Sequence, residues 1–281
     1  MLSRLAVGTG RVAVLERSAV EDITTDAFVL RTVAYGESDR VVIMLSDQYG
    51  KLAGMAKGAR RSKRRFAGGA LEPFQRLRVR FGRRAHSSMV FLHDARVELS
   101  YNVVGDDDLA GFAWASYLSE LTDLMTPERD PCPELFDLYE QAVAAVARGE
   151  EAARVGHHFM LVLLDQGGWK PDFSMCGICA EGIVEASRPV LDPRGSGVVC
   201  SRHEAERLGL GPDDPSFKPS RRVIETRLLD YVGHASRGVP DSSVTTDPEL
   251  VATATAMLDR LVELHLPRQP RSRALRDSLM G

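Results

Sequence analysis

The sequence predicts an α+β protein: an amino-terminal OB-fold β-barrel over residues 23–102, then an α-helical domain over 103–281 interrupted by a cysteine-containing module at 170–206. Three observations carry this. Five short β-rich runs separated by turn residues fill about 75 residues, which suits a small closed barrel, and the OB-fold is the common five-stranded case. After Asn102 the apolar spacing changes from period two to the helical period. Three of the four cysteines then fall in a loop-rich stretch between helices. Residues 1–22 have weak periodicity and read as a flexible leader.

In chain order, Ala27-Phe28-Val29-Leu30 and Arg40-Val41-Val42-Ile43-Met44-Leu45 read as the first two strands. Gln48-Tyr49-Gly50-Lys51 is a turn, and residues 51–59 form a third strand. Arg76-Leu77-Arg78-Val79-Arg80-Phe81 alternates strictly, so one face is buried and the other is wet. Residues 88–99 make the fifth strand. Asp106, Asp107 and Asp108 suit a helix start, where carboxylates cap free amides and favour the dipole. That helix runs through Phe112, Tyr117, Leu118, Leu121 and Met125. Pro133 opens a second helix, ending near Gly149. A third covers 151–166 and stops at Gly167-Gly168, and helices resume over 220–236 and 247–266. No internal repeat or long low-complexity tract is present.

Charge is distributed unevenly. Residues 1–84 carry a net +9, residues 85–160 a net −10 and the remainder −2, giving −3 in total. A basic first third points to an anionic ligand at that end. The longest apolar run, residues 159–164, is far short of the ~18 residues of a membrane span. Leu5-Ala6-Val7 is too short for the apolar core of a secretion signal. Cysteines clustered near a histidine suit a reducing cytoplasm better than a disulfide framework.

Cys176-Gly177-Ile178-Cys179 is followed by Cys200-Ser201-Arg202-His203. Each half is a knuckle with two ligands three apart, and Gly177 is expected to supply the turn freedom. Three thiolates and one imidazole make a closed tetrahedral set, the arrangement of one structural Zn²⁺. No open position is left for an activated water, which argues against metal catalysis. Cys132, between Pro131 and Pro133, reads as a packed or exposed thiol rather than a ligand.

Lys57, Arg60, Arg61, Lys63, Arg64 and Arg65 place six cations within nine residues, flanked by Gly58, Gly68 and Gly69. The pattern reads as a mobile basic loop able to clamp a phosphate backbone. Arg76, Arg78 and Arg80 share one face of a strand, where they repel one another unless an anion is bound; Arg83 and Arg84 extend the patch. Phe66 and Phe74 are able to stack on bases, although such residues are more often core. No recognition helix is evident, so binding is expected to tolerate any sequence.

No phosphate loop, Gly-x-Ser-x-Gly elbow or His-Glu-x-x-His occurs, and His157-His158 reads as a core or surface pair. The chain is therefore expected not to be an enzyme. A zinc-ribbon adaptor that binds RNA in transcription or translation is the alternative. A zinc-dependent nuclease or deaminase is a third reading, opposed by the closed ligand set and by the lack of a His-x-Glu pattern.

The assembled residues resemble the RecO family of bacterial DNA-repair proteins. The resemblance spans about residues 23–280. It rests on Ala27-Phe28-Val29-Leu30 with Tyr35-Gly36-Glu37-Ser38-Asp39-Arg40, Gly50-Lys51, Ala56-Lys57-Gly58-Ala59-Arg60-Arg61 and Leu71-Glu72-Pro73-Phe74. Tyr117-Leu118-Ser119-Glu120-Leu121, Leu135-Phe136, Gly167-Gly168-Trp169, the cysteine knuckle and Arg271-Ser272-Arg273-Ala274-Leu275 continue it. His203 stands where many members have cysteine, the 22-residue leader is longer than usual, and the acidic middle argues against the helical domain itself gripping DNA. The resemblance implies a recombination mediator of the cytoplasm and nucleoid that binds single- and double-stranded DNA and anneals complementary strands. It further implies work with RecR and, in many bacteria, RecF, and help in loading RecA onto DNA coated by single-strand binding protein. By the same resemblance the barrel, with Lys57, Arg60, Arg61, Lys63, Arg64, Arg65, Arg76, Arg78 and Arg80, carries the DNA.

Overall fold

The computed structural model describes residues 21–62, 64–67, 69–83, 87–103, 109–183, 189–192, 197–207, 224–239 and 247–280. Residues 1–20 of the expected leader, Lys63, Gly68, Arg84 and Asp106 to Asp108 lie outside them.

The barrel has five strands: β1 (Glu21–Tyr35), β2 (Asp39–Ser46), β3 (Gly50–Ala56), β4 (Gln75–Arg83) and β5 (Val90–Ser100). β1 begins at Glu21, two residues before the expected barrel start, and β3 ends at Ala56 rather than 59. The strands close in the order β1-β2-β3-β5-β4, with β4 returning to β1. All pairs are antiparallel except β3 with β5, where Gly54 and Met55 pair with Val90 and Phe91. This is the five-stranded OB-like closure expected from the sequence.

Side-chain alternation explains why the barrel has two apolar surfaces. On β4, Leu77, Val79 and Phe81 are fully buried inside, each contributing roughly 1.5–3 kcal/mol by leaving water. On β1, four consecutive residues are buried because both faces are covered. Ala27 and Val29 join the barrel interior, while Phe28 and Leu30 join Ile43 and Leu45 of β2 in the helical core. The outer side of β1 and β2 is thus the floor on which the helices sit.

The helical part comprises α1 (Leu109–Met125), α2 (Pro133–Ala147), α3 (Ala152–Gln166), α5 (Thr226–Ala235), α6 (Pro248–Glu263) and α7 (Ser272–Met280). α3 is central, packing on α1, α2, α5 and α6. The module between α3 and α5 carries β6 (Val190–Leu191), β7 (Val198–Val199) and α4 (Ser201–Arg207). α7 was not expected from the sequence. Among its described side chains only Arg276 is fully buried, and it lies over the rings of Trp114 and Tyr117 with its guanidinium carbon 4.7 and 4.2 Å from the ring centres. Arg276 Nη1 donates to Asp259 at 2.9 Å, and Tyr117 donates to the same carboxylate at 2.7 Å. A helix held by a buried ion pair has no apolar period to read.

Two polar clamps fix the barrel against the helices. Asp123 of α1 accepts from Arg31 of β1 at 2.6 Å, and Lys51 Nζ lies 3.4 Å from its other oxygen. Gly50 sits so close to the α1–α2 connection that a Cβ would lie 2.1 Å from the Asp130 carbonyl oxygen, and its φ of 63° already demands glycine. On the other side, Glu140 of α2 accepts from Tyr101 at 2.8 Å and from Arg76 of β4 at 2.7 and 2.9 Å. Burial first, and then the Glu140 carboxylate, push the Tyr101 hydroxyl up to about 12.

Candidate nucleic-acid interface and metal centre

The segment between β3 and β4, expected from its glycines to be a mobile loop, is tied to the barrel at several of its described residues. Its amides are anchored at both ends: Gly58 donates to the Asp39 side chain at 2.7 Å, Arg60 to the Ser38 carbonyl at 3.0 Å, and Ala95 of β5 to the Arg65 carbonyl at 2.9 Å. Gly58 takes a left-handed φ of 63° where the chain leaves β3, a conformation glycine adopts without strain. Phe66 plugs the barrel core beneath the segment, and Phe74 is buried in the helical core. Neither ring is available to stack on a base.

The cations of this segment point outward. Lys57, Arg60, Arg61, Arg64 and Arg65 are all exposed, and Lys63 lies outside the described residues. Lys57 sits over the Phe91 ring at 5.8 Å, and Arg65 donates to the Lys57 carbonyl at 2.7 Å. Their only ion pair among the described residues is Arg61 with Glu37 at 3.8 Å, where both side chains are in water, 77% and 93% exposed. Arg60 also borders a cleft of about 510 Å³ lined by Arg31, Arg40, Glu72 and Pro73 among others. The sequence reading missed Arg31 and Arg40; each is paired, with Asp123 at 2.6 Å and Glu72 at 2.8 Å. Arg40 lies within the 35–40 motif, but only the β2–β3 register, which pairs it with Ala56, places it beside the basic segment.

The arginines of β4 are differently placed. They share one outward face, as alternation requires, yet carboxylates of this same chain neutralise them. Arg78 pairs with Asp26 at 2.6 Å, Arg80 with Asp94 at 2.7 Å and with Asp22 at 3.5 Å, and Arg83 with Glu21 at 2.7 Å. Arg76 pairs with both Asp26 and Glu140 and is only 28% exposed. The repulsion that pointed to an external anion is therefore relieved internally. Burial pushes Asp26 up, but the hydrogen bonds and charges of Arg78 and Arg76 outweigh it and hold the carboxyl below its usual range. Arg76 serves the junction between barrel and helices.

Cys176, Cys179, Cys200 and His203 converge, their four ligand atoms all within 4.8 Å of one another. His203 Nδ1 is 3.2 Å from Cys200 Sγ and 3.6 Å from Cys176 Sγ. Bonds of about 2.3 Å to sulfur and 2.0–2.1 Å to nitrogen around a tetrahedral ion imply ligand separations of roughly 3.5 Å, so the set fits one metal ion. The left-handed residue of the first knuckle is Ala180, with φ 56°; Gly177, expected to supply the turn freedom, donates its amide to the Val198 carbonyl at 2.9 Å. β7 leads into Cys200, and the first turn of α4 presents His203. Arg202 crosses to Glu181 at 2.6 Å and ties the two halves. Burial pushes the Cys176 thiol up, but the amides of Cys179, Cys200 and Ile178 overcome it and bring the thiol down to about 6, favouring the thiolate that a metal needs. Cys132 lies at the amino-terminal cap of α2, outside this cluster.

His157 is a satisfied core histidine, 2.7 Å from the Tyr231 hydroxyl and 2.8 Å from Thr255. Burial and the nearby Arg276 lower it to about 3. No helix among the described residues is long and apolar enough to cross a membrane.

Two family models match the chain: Recombination protein O N terminal over residues 20–101 and Recombination protein O C terminal over residues 106–274. A DNA repair protein RecO of Myxococcus xanthus (strain DK1622) is 34% identical over 253 residues, covering 90% of this chain and 96% of the relative. Proteins of the same name from Anaeromyxobacter sp. (strain Fw109-5) and Anaeromyxobacter sp. (strain K) are 30% identical over 260 residues and 36% over 252. They cover 92% and 89% of this chain, and 97% and 94% of the relatives.

Proposed function

The chain belongs to the RecO family, and from that premise we propose that it acts in recombinational repair as a non-enzymatic DNA-binding mediator. It binds single- and double-stranded DNA through the barrel, anneals complementary strands and helps load RecA onto DNA coated by single-strand binding protein. RecR, and where present RecF, are its partners, and it works in the cytoplasm on the nucleoid. The observation that carries the reading is the exposed group Lys57, Arg60, Arg61, Arg64 and Arg65, whose charges are almost unopposed by carboxylates. Annealing requires two polyanions to approach, which demands neutralisation rather than bond chemistry. Arg78 and Arg80, about half exposed, reach phosphate only by exchanging an internal carboxylate for it. Arg76 is committed to the barrel–helix junction.

One Zn²⁺ held by Cys176, Cys179, Cys200 and His203 fastens the module, which has only a small apolar core of its own around Val190 and Val199. With four protein ligands there is no position for an activated water, so the ion's role is structural.

A strand-annealing assay with and without single-strand binding protein tests the reading. Faster annealing of bare and of coated complementary strands is expected. No acceleration, together with tighter binding of structured RNA than of single-stranded DNA, would favour an RNA adaptor instead.

A further inference from the structure

We propose that Glu206 is the positioning residue that holds His203 as an Nδ1 ligand of the metal. The inference rests on the reading that the four-residue cluster binds zinc. Within the cluster the His203 ring has a defined polarity. Nδ1 is the atom that faces sulfur, 3.2 Å from Cys200 Sγ and 3.6 Å from Cys176 Sγ. A ring that ligates through Nδ1 carries its proton on Nε2. Nε2 lies 3.7 Å from Glu206 Oε2, one turn further along α4.

The surroundings suit that division of labour. The His203 side chain is 11% exposed, and that of Glu206 is 52% exposed at the rim of the module. The imidazole is thus fixed by its packing, while the carboxylate can shorten the gap to hydrogen-bond length by a small rotation about its own side chain. A carboxylate that accepts from the remote N–H of a ligating histidine fixes ring and tautomer and raises ligand basicity. Arg202, on the same helix, is engaged with Glu181 at 2.6 Å and leaves Glu206 to His203.

A bland alternative is available: Glu206 and His203 form an i,i+3 surface pair that only supports the short helix. The two accounts separate when the ring is removed, because a cysteine at position 203 ligates without any N–H to orient. Zinc affinity of the full chain is therefore measured by competition with a chromophoric chelator, for the parent, Glu206→Ala, Glu206→Gln, His203→Cys and the double variant His203→Cys/Glu206→Ala.

Glu206→Ala is expected to weaken zinc binding about tenfold, the low end of the range for such partners because the carboxylate is half in water. Glu206→Gln should fall between Glu206→Ala and the parent, and the alanine effect should vanish in the His203→Cys background. Parent-like affinity in Glu206→Ala, or an equal loss in both backgrounds, would overturn the inference while leaving the zinc reading intact. A parent that takes up no zinc would overturn both. A second measurement does not depend on the variants folding: imidazole ¹⁵N–¹H correlation spectra of the zinc-loaded parent should show His203 metallated at Nδ1 and protonated at Nε2. Ligation through Nε2 would refute the inference.

Discussion

Arg64 and Arg78 stand on the same barrel, one on the β3–β4 connection and one on strand β4, yet they live in different electrostatic surroundings. Arg64 has no ion pair among the described residues, and its neighbour Arg61 has only a distant one in open water. Arg78 is bound to Asp26 at 2.6 Å, and the arginines on either side of it are paired as well. A cation already neutralised must give up a partner before it gains a phosphate, so its net contribution to binding is small. A cation held in water gives up only weak contacts and displaced counterions. Counting basic residues treats the two sets alike, whereas their pairing separates them.

The largest expected effect lies outside both sets and tests whether they act alone. Replacing Cys200 with serine should abolish tight metal binding, which in structural zinc modules amounts to roughly 10 kcal/mol or more. Hydrogen exchange should then report loss of protection over residues 170–207 with the barrel amides unchanged. Loss of protection in β1 and β4 as well would mean that the module supports the barrel, and the two-set comparison would need a third member.

Arg76→Ala comes next. It leaves the part-buried Glu140 without its cation and Asp26 with Arg78 alone, and should cost about 2 kcal/mol, seen as a lower urea midpoint at unchanged slope. Glu140→Ala should cost a similar amount, and the double variant should lose less than the sum of the two, because both substitutions remove the Arg76–Glu140 pair. Additive losses would show that Arg76 is not engaged as described. Arg78→Gln and Arg80→Gln should alter thermal stability less than Arg76→Ala, since exposed pairs contribute little.

Acid should act on the strand set and spare the connection. Asp26 has its carboxyl held below the usual range, so the native state binds its proton more weakly than the unfolded chain does. The stability it contributes is present above the ordinary carboxylate pKa and is lost as pH falls through the depressed one. Asp26→Asn should therefore flatten the decline of Tm in acid, while Arg64→Ala should follow the parent curve. Identical curves for Asp26→Asn and the parent would contradict the pairing. A separate acid effect belongs to the core. His157, lowered to about 3, is neutral in the native state, so stability falls as pH drops below about 6.5, by at most about 1.4 kcal/mol per pH unit.

Much of this was legible in the sequence, because it depends on near neighbours. Alternation placed Leu77, Val79 and Phe81 inside and three arginines outside, and ligand spacing assembled the Cys176, Cys179, Cys200 and His203 cluster. The carboxylates that neutralise the strand were not legible. Asp26 stands 50 and 52 positions from Arg76 and Arg78, and Glu140 stands 64 from Arg76, so only register and helix docking bring them together. The helix pinned by Arg276 escaped for a related reason: its anchor is Asp259, 17 positions away on another helix, so it carries no local pattern to read.

Salt dependence tests the difference between the two sets most directly. Single-stranded DNA binding would be measured across a salt series for the parent, for Arg61→Ala/Arg64→Ala/Arg65→Ala and for Arg78→Gln/Arg80→Gln. Each lost phosphate contact should flatten the log–log slope by roughly 0.7, so the connection variant should lose about two units and bind roughly a hundredfold more weakly at 0.1 M salt. The strand variant should keep the parent slope. A flattened slope in the strand variant, with the connection variant unchanged, would contradict the account and move the DNA path onto the arginines of β4.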